Sequence, residues 1–226
     1  MPTRPRAFTL IELLAVISIT AVLAVLASTA VSSARAATQR TKCTANLARI
    51  ANGIRQFAND NNGAIPPGWN GSRPYVWQYD VAPYLEIERT NTHGAHGTVW
   101  QCPSVPTNEL PANAATYALN QYLVYSAAEP VKYFQKMEKP SRTVLVGDNS
   151  AINTDQLQAI TYNGGQGTVV FRHPNKVTGN PAAVKKGPLN YKGEGMANVA
   201  FADGHVESLK PAELAQGGKN NVIWQP

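Results

Sequence analysis

The cysteines and histidines of this chain are few, which limits the chemistry that they can support. Cys43 and Cys102 stand far apart and form neither a CxxC motif nor a zinc-ligand spacing. His93 and His96 lie near enough to share a metal ion, but the sequence places no third ligand beside them. An exposed glycine-rich loop is the simpler interpretation of this histidine pair, and we predict no metal site from it.

Two further groups of polar residues are candidates for binding a cation. His173 can join Asp203 and His205 only if their strands are neighbours, and a structural role for Asp203 in a turn is the simpler explanation. Asp148 is followed by polar residues at 149 and 150, but nothing there indicates the six to eight oxygens that Ca²⁺ requires. We therefore expect no cofactor, and calcium bound within residues 63–226, the predicted head domain, is the alternative.

The sequence contains none of the motifs that mark common enzyme classes. There is no nucleophile elbow, P-loop, HExxH motif or glycine-rich dinucleotide fingerprint, so we expect a protein that is not an enzyme. The net charge of +6 is dispersed, without the basic stripe and interleaved aromatics that nucleic-acid binding needs. Four aromatic residues form either a binding surface or the packing of a loop: Trp69, Tyr75, Trp77 and Tyr79.

The N-terminus has a short basic segment followed by a long apolar one. Residues 13–31 carry no charge, and as a helix these 19 residues span roughly 29 Å, close to the ~30 Å hydrocarbon core of a bilayer. Arg4 and Arg6 precede the span, which favours a cytoplasmic N-terminus and places the remainder outside the cytoplasm.

A secretory signal peptide is the alternative interpretation of this segment, and small residues after the span offer a cleavage site. The apolar run is longer than the usual 7–15 residues of a signal peptide. Glu12 also lies inside the apolar stretch, where a carboxylate costs on the order of 2–3 kcal/mol at the bilayer centre. A helix that pairs with a neighbouring helix has a use for this charge, whereas a signal peptide has none.

The segment AFTLIELL at residues 7–14 resembles the processing site of type IV prepilins and type II secretion pseudopilins. The resemblance implies cleavage between Ala7 and Phe8 by a membrane aspartic peptidase, followed by methylation of the new Phe8 amine. It also implies that Glu12 pairs with the N-terminal ammonium of an adjacent subunit. Ala7 stands where the family usually has glycine.

The helix is predicted to continue beyond the membrane, because no proline occurs between Pro5 and Pro66. A 4-3-4-3 spacing creates one apolar stripe, formed by Cys43, Leu47, Ile50, Ile54 and Phe57. This stripe predicts packing against a sheet, and a coiled-coil partner is the lesser option because the stripe lasts only about two heptads. The segment NDNNG at residues 59–63 predicts the end of the helix.

The remainder predicts short strands and long loops. Strands are expected at residues 99–102, 116–125, 143–146 and 168–171, and a hairpin at 198–209. In that hairpin, Asp203 and Gly204 suit a two-residue type I′ turn, which pairs Phe201 with Val206.

An exported chain meets an oxidising compartment, so a disulfide between Cys43 and Cys102 is plausible, and two buried free thiols are the alternative. Such a disulfide would clamp the helix to the sheet.

The head offers a second resemblance, to the pilin-like His-x9-Asp-Gly families of planctomycetes and related bacteria. It depends on KCTANL at 42–47, DNNG at 60–63 with PPG at 66–68, CPS at 102–104 and ADGHV at 202–206. The nearest histidine upstream of Asp203 is His173, with 29 residues between them, so the spacing departs from that signature.

These observations predict an α+β protein in which a long N-terminal helix packs on a small, mostly antiparallel β-sheet. We expect a leader at 1–7, a transmembrane and assembly helix at 8–34, its amphipathic continuation at 35–62 and an extracytoplasmic β-rich head at 63–226. The alanine, serine and threonine content of the assembly helix allows close helix packing.

The expected function is that of a structural subunit, and a minor one, of a type IV pilus or type II secretion pseudopilus. Its expected partners are copies of itself or other pilins, the prepilin peptidase and the inner membrane, which the chain crosses once. The filament would be periplasmic or on the cell surface. A membrane-tethered extracytoplasmic binding protein with the same anchor is the alternative.

Overall fold

The computed structural model describes eleven stretches of the chain, within which all structural statements below apply. These are residues 9–68, 77–88, 98–105, 115–120, 122–123, 131–149, 159–160, 169, 173, 195–214 and 222–223. The chain divides into two compact units, residues 1–38 and residues 39–226. The cleavage residues Ala7 and Phe8 lie outside the described residues, as do His93 and His96.

One helix, α1, extends over Leu10–Asp60, a length of 51 residues. The predicted end of the helix is confirmed: the amides of Asn61 and Gly63 both donate to Ala58 O, at 3.1 and 2.7 Å. Asn62 and Gly63 adopt positive φ angles of 56° and 82°. The left-handed conformation reverses the chain and satisfies a carbonyl of the last turn, which is the usual way in which glycine and asparagine end a helix.

The remaining elements are short. They are α2 (Trp77–Val81), a 3-10 helix (Ala82–Leu85), β1 (Tyr117–Asn120), a second 3-10 helix (Phe134–Lys136), β2 (Val144–Asp148), β3 (Ala159–Ile160), β4 (Ala197–Phe201), β5 (Val206–Leu209) and α3 (Pro211–Leu214). The five strands form one sheet in the order β3-β1-β2-β4-β5. Each neighbouring pair is antiparallel except β1 and β3, and the predicted α+β class is confirmed.

The sheet carries a hydrophobic cluster on each face. The helix-side core combines the stripe of α1 with one face of the sheet and includes Cys43, Leu47, Ile50, Ile54, Tyr117, Leu119, Leu145 and Ala200. The far-side core covers the other face and includes Ala118, Val144, Ala197, Val199, Phe201, Leu209 and Leu214. The predicted stripe is therefore a core surface, and only Phe57 remains partly exposed, against the edge of the Tyr84 ring.

The predicted strand at residues 99–102 is wrong, because this segment forms turns. Cys102 donates its amide to Thr116 Oγ1 at 2.5 Å, and Trp100 O accepts the amide of Thr116 at 3.0 Å. The amide of Cys102 and the carbonyl of Trp100, which in a strand would bond to a neighbouring strand, are thus both bonded to Thr116, the residue just before β1. The apolar character of the segment reflects burial of Trp100 against the edge of the Trp77 ring, at a centroid distance of 5.5 Å.

The hairpin at residues 198–209 is confirmed, but its predicted register is wrong by one residue. Val206 pairs with Ala200, and Phe201 N donates to His205 O. The loop therefore has three residues, with a tight turn from Phe201 to Gly204 and Gly204 at a φ of +98°. A type I′ turn needs positive φ at both central residues, and Asp203 does not adopt one. Because of the shift, Phe201 and Val206 pack on opposite faces of the sheet.

Candidate functional site

The start of α1 is fixed by a reciprocal pair of side chains. Glu12 Oε2 accepts hydrogen bonds from the backbone amide and the hydroxyl of Thr9, both at 2.8 Å. Thr9 Oγ1 in turn accepts the backbone amide of Glu12 at 3.3 Å. This is a capping box, in which two amides that the first helical turn leaves unpaired are satisfied by side chains three residues apart. The Thr-x-x-Glu spacing signals this cap in the sequence, so Thr9 was detectable there.

Glu12, the predicted assembly residue, is therefore held at one end of the apolar segment in a defined position. Both hydrogen bonds from Thr9 reach the same carboxylate oxygen, Oε2. Within the described residues no hydrogen bond is formed to Oε1, and Glu12 is exposed. The geometry leaves this second oxygen available to a group outside the chain, while the first keeps the side chain in place.

The apolar segment that follows is exposed around its whole circumference. In residues 9–38, every residue whose burial is described is exposed, and large apolar side chains such as Leu10 and Ile11 reach 80% and 75%. The helix is long and apolar enough to cross a membrane, judged by its length and composition. An apolar surface of this extent on all sides of a helix indicates a lipid or protein environment around it.

Several hydroxyl groups within this segment are satisfied by the helix itself. Ser18 donates to Leu14 O at 2.8 Å, and Thr20 donates to Ile17 O at 3.0 Å. Ser28 makes the same type of bond one turn back. An unsatisfied polar group is costly in hydrocarbon, so these local bonds make the segment compatible with lipid although it contains hydroxyls.

In the head, the two cysteines are joined. Cys43 of α1 and Cys102 form a disulfide with a Cα–Cα distance of 4.9 Å, across 59 residues of sequence. The predicted disulfide is confirmed, and it links the helix to the turn that precedes β1. Both cysteines are buried in the helix-side core.

A histidine and an aspartate lie beside this disulfide. His173 Nε2 is 3.5 Å from Cys102 Sγ and 3.5 Å from Asp148 Oδ2. His173 is 2% exposed and Asp148 0%. No spacing in the sequence indicates this cluster, because its members come from α1, the turn at 98–102, the end of β2 and a residue bridged to Met196.

Asp148, the first residue of the polar segment considered for calcium, is the last residue of β2, and its Oδ2 accepts the amide of Asn198 at 2.8 Å. Its other oxygen, Oδ1, is buried without a hydrogen-bond partner in the described part of the chain. Ser150, the third polar residue of that segment, lies outside the described residues.

The suggested meeting of His173 with Asp203 and His205 is wrong. His173 pairs with Met196, which precedes β4, whereas Asp203 follows β4. A five-residue strand spans roughly 16 Å, so the two sites lie at opposite ends of it.

Asp203 instead forms a local cluster at the hairpin turn. Its Oδ1 lies 2.6 Å from His205 Nδ1, and its carbonyl accepts a hydrogen bond from Arg55 of α1. The His205 ring stacks on Phe201 at 4.4 Å, and its Nε2 lies 3.4 Å from Glu207 Oε1. Partial desolvation raises the pKa of Asp203, but hydrogen bonds from His205 and the charges of His205 and Arg55 outweigh it, so the pKa is lowered overall.

The structure describes two of the four aromatic residues that were considered as a binding surface. Trp77 is fully buried in the helix-side core, so it packs the loop onto the head. Tyr79 belongs to α2 and is partly exposed. Trp69 and Tyr75 lie outside the described residues, and their predicted role stays a prediction.

Comparison with known proteins finds a match for the N-terminal segment of the chain. Residues 3–28 match the family model of the prokaryotic N-terminal methylation motif. No curated protein and no solved structure shows significant similarity to the chain. The match covers the predicted cleavage site, Glu12 and most of the apolar segment, and it supports a protein of the type IV pilin or pseudopilin kind with a membrane-anchored N-terminus.

Proposed function

We propose that this protein is a structural subunit of a type IV pilus or type II secretion pseudopilus. The observation that carries the proposal is the methylation motif at residues 3–28, which leads directly into a helix with an exposed apolar surface. In the proposed pathway, prepilin peptidase cuts between Ala7 and Phe8, the Phe8 amine is methylated, and the apolar helix packs among those of other pilins.

Glu12 has a defined part in this assembly. With Oε2 engaged by Thr9, Oε1 accepts the N-terminal ammonium of an adjacent subunit. An unpaired carboxylate and an unpaired ammonium are both unfavourable in lipid, so their contact fixes the axial offset between neighbouring helices. The capping box holds the carboxylate in one orientation, which reduces the entropy lost when the ammonium binds.

The proposed topology places the N-terminus in the cytoplasm and the head outside it. Arg4 and Arg6 before the span favour this orientation. The Cys43–Cys102 disulfide also supports it, since disulfides persist in oxidising compartments.

A minor subunit is favoured by the size of the head. Residues 63–226 follow the helix and include long segments between the strands. A head of this size limits how densely subunits can pack along a filament, which suits a position at its tip or in low copy number.

The decisive experiment combines processing with assembly. Intact mass spectrometry of protein from the native membrane is expected to give a chain that begins at methylated Phe8. Glu12→Gln keeps the capping acceptor but removes the charge, so it is expected to be processed and yet absent from sheared filaments. Glu138→Gln, an exposed head carboxylate, is the matched control and should assemble normally.

Two results would count against the proposal. A mature terminus near residues 34–38 would identify an ordinary secreted protein. Normal processing with all of the wild-type protein free in the envelope would instead favour the membrane-tethered binding protein.

A further inference from the structure

The buried sulfur cluster has the composition of a transition-metal site in its reduced form. Cys43 Sγ, Cys102 Sγ and a His173 ring nitrogen all lie within 4.8 Å of one another, and all three residues are buried. Two thiolates and an imidazole are the ligand types that Zn²⁺ prefers. Asp148 Oδ2 lies 3.5 Å from His173 Nε2, so a shift of this carboxylate toward the sulfurs would supply a fourth ligand.

The two distances around His173 fit such a site. Zinc bond lengths of about 2.0–2.3 Å in a tetrahedron separate the ligand atoms by roughly 3.3–3.8 Å. His173 Nε2 already lies 3.5 Å from both Cys102 Sγ and Asp148 Oδ2. The two sulfurs are joined as a disulfide, so they can act as thiolate ligands only after reduction.

A second observation concerns the other oxygen of the Asp148 carboxylate. Asp148 is 0% exposed, and its Oδ1 has no hydrogen-bond partner among the described residues. A buried carboxylate oxygen without a partner is unfavourable. A metal ion held between Asp148, His173 and the sulfurs would give this oxygen a partner.

We propose that the reduced protein binds one Zn²⁺ ion through Cys43, Cys102, His173 and Asp148, and that disulfide formation releases it. Starting from the disulfide, a dithiol reductant supplies two electrons and two protons and becomes a disulfide, leaving two thiols. The thiols then bind Zn²⁺ as thiolates and release two protons. In the reverse direction, a disulfide donor takes the two electrons, the donor's sulfurs take up two protons, and Zn²⁺ leaves.

The proposed site would let the same residues connect the helix and the head before and after oxidation. Before the disulfide forms, zinc held by Cys43 and Cys102 would keep residues 39–60 of α1 fixed to the turn before β1. Once the two cysteines are oxidised, the disulfide takes over this connection. This inference does not depend on filament assembly.

Cobalt titration of the full-length protein in detergent tests the site directly. After reduction with a phosphine and its removal under argon, we expect one Co²⁺ per chain, with a thiolate-to-cobalt charge-transfer band and the visible bands of tetrahedral cobalt. Stoichiometric Zn²⁺ should displace the cobalt. The oxidised protein should give neither band. If reduction weakens the near-ultraviolet circular dichroism of the head, Zn²⁺ should restore it.

Variants separate the proposed site from a pair of thiols that binds metal by chance. His173→Ala and Asp148→Asn should each lower the affinity for Co²⁺ at least about tenfold, as expected for lost ligands. His205→Ala, at the hairpin turn, is the matched control and should leave the affinity unchanged. The proposal is overturned if reduced wild-type protein gives no charge-transfer band, if Zn²⁺ fails to restore a weakened head signal, or if His173→Ala binds Co²⁺ as tightly as wild type.

Discussion

Between residues 10 and 38, α1 exposes every large apolar side chain whose burial is described, whereas between residues 39 and 60 it buries a regular stripe. Ile19 is 61% exposed and Ile50 is 0% exposed, although both are isoleucines in the same continuous helix. The first part has no polar face, and the second alternates its stripe with charged residues such as Arg49 and Arg55.

This contrast indicates that the two parts of α1 suit different environments. A helix that is apolar on all sides is stable in lipid or among similar helices, and a striped helix is stable on a protein core with water on its other side. The polar groups follow the same division. Hydroxyls in the first part bond to their own backbone, whereas Asn46 and Arg49 in the second part donate to Gln101 O and Leu85 O of the head.

The largest expected effect comes from truncating the same residue type in each part. Ile50→Ala should lower the free energy of unfolding of the head by about 2–5 kcal/mol, through lost burial and a residual cavity. Ile19→Ala, the matched control, should change it by less than about 0.5 kcal/mol. Denaturant titration of the full chain in detergent, followed by the fluorescence of the buried Trp77 and Trp100, measures both. Equal effects in the two variants would break the distinction between the parts.

A smaller effect is expected where the first part of α1 begins. Thr9→Val keeps the size of the side chain but removes the hydroxyl that accepts the Glu12 amide. Loss of a helix cap costs about 1 kcal/mol, so the Glu12 amide should exchange with solvent roughly five times faster in a detergent-bound sample. Hydrogen exchange resolved by NMR measures this change.

Thr20→Val provides the control, because the Thr20 hydroxyl donates to Ile17 O in mid-helix and caps nothing. Its Glu12 amide should exchange at the wild-type rate. Unchanged exchange in Thr9→Val would show that the capping box does not set the start of the helix.

The two parts of α1 were predictable because each depends on a local pattern. An uncharged run and a 4-3-4-3 spacing can be read from consecutive residues without knowledge of the fold. The capping box is also a local pattern, but the sequence prediction assigned Glu12 an external partner and not its bonds to Thr9. The end of the helix at residues 59–63 was correctly placed for the same reason, since glycine and asparagine act within a few residues.

The errors occurred where distant residues determine the structure. Residues 99–102 have a strand-like composition, but the bond from Cys102 to Cys43 and the contacts with Thr116 hold them in turns. The hairpin register depends on whether the loop has two or three residues, and the composition of the loop does not decide between these lengths. The sheet topology brings His173 next to the disulfide and Asp148 next to His173. No spacing in the sequence therefore indicates their cluster.

The smallest effect concerns the Asp203 carboxylate at the hairpin turn, which bonds to His205 and lies near Arg55 of the second part of α1. The folded state lowers the pKa of Asp203 through hydrogen bonds from His205 and the charges of His205 and Arg55, against a desolvation that raises it. A lowered pKa means that the ionised carboxylate stabilises the fold. This contribution is complete above the unfolded-state pKa of about 3.9 and is lost as the pH falls through the lower folded-state value.

Asp203→Asn should therefore cost less than about 1 kcal/mol at neutral pH, because the site is largely exposed and screened. Below about pH 4 the wild-type head should lose stability more steeply than the variant, and the two curves should converge at the lowest pH. Denaturant titrations at a series of pH values measure the slope, and Glu138→Gln, which removes an exposed head carboxylate, is the control. Equal acid slopes for wild type and Asp203→Asn would mean that the ionised Asp203 side chain, unlike the buried stripe of α1, contributes nothing to the stability of the head.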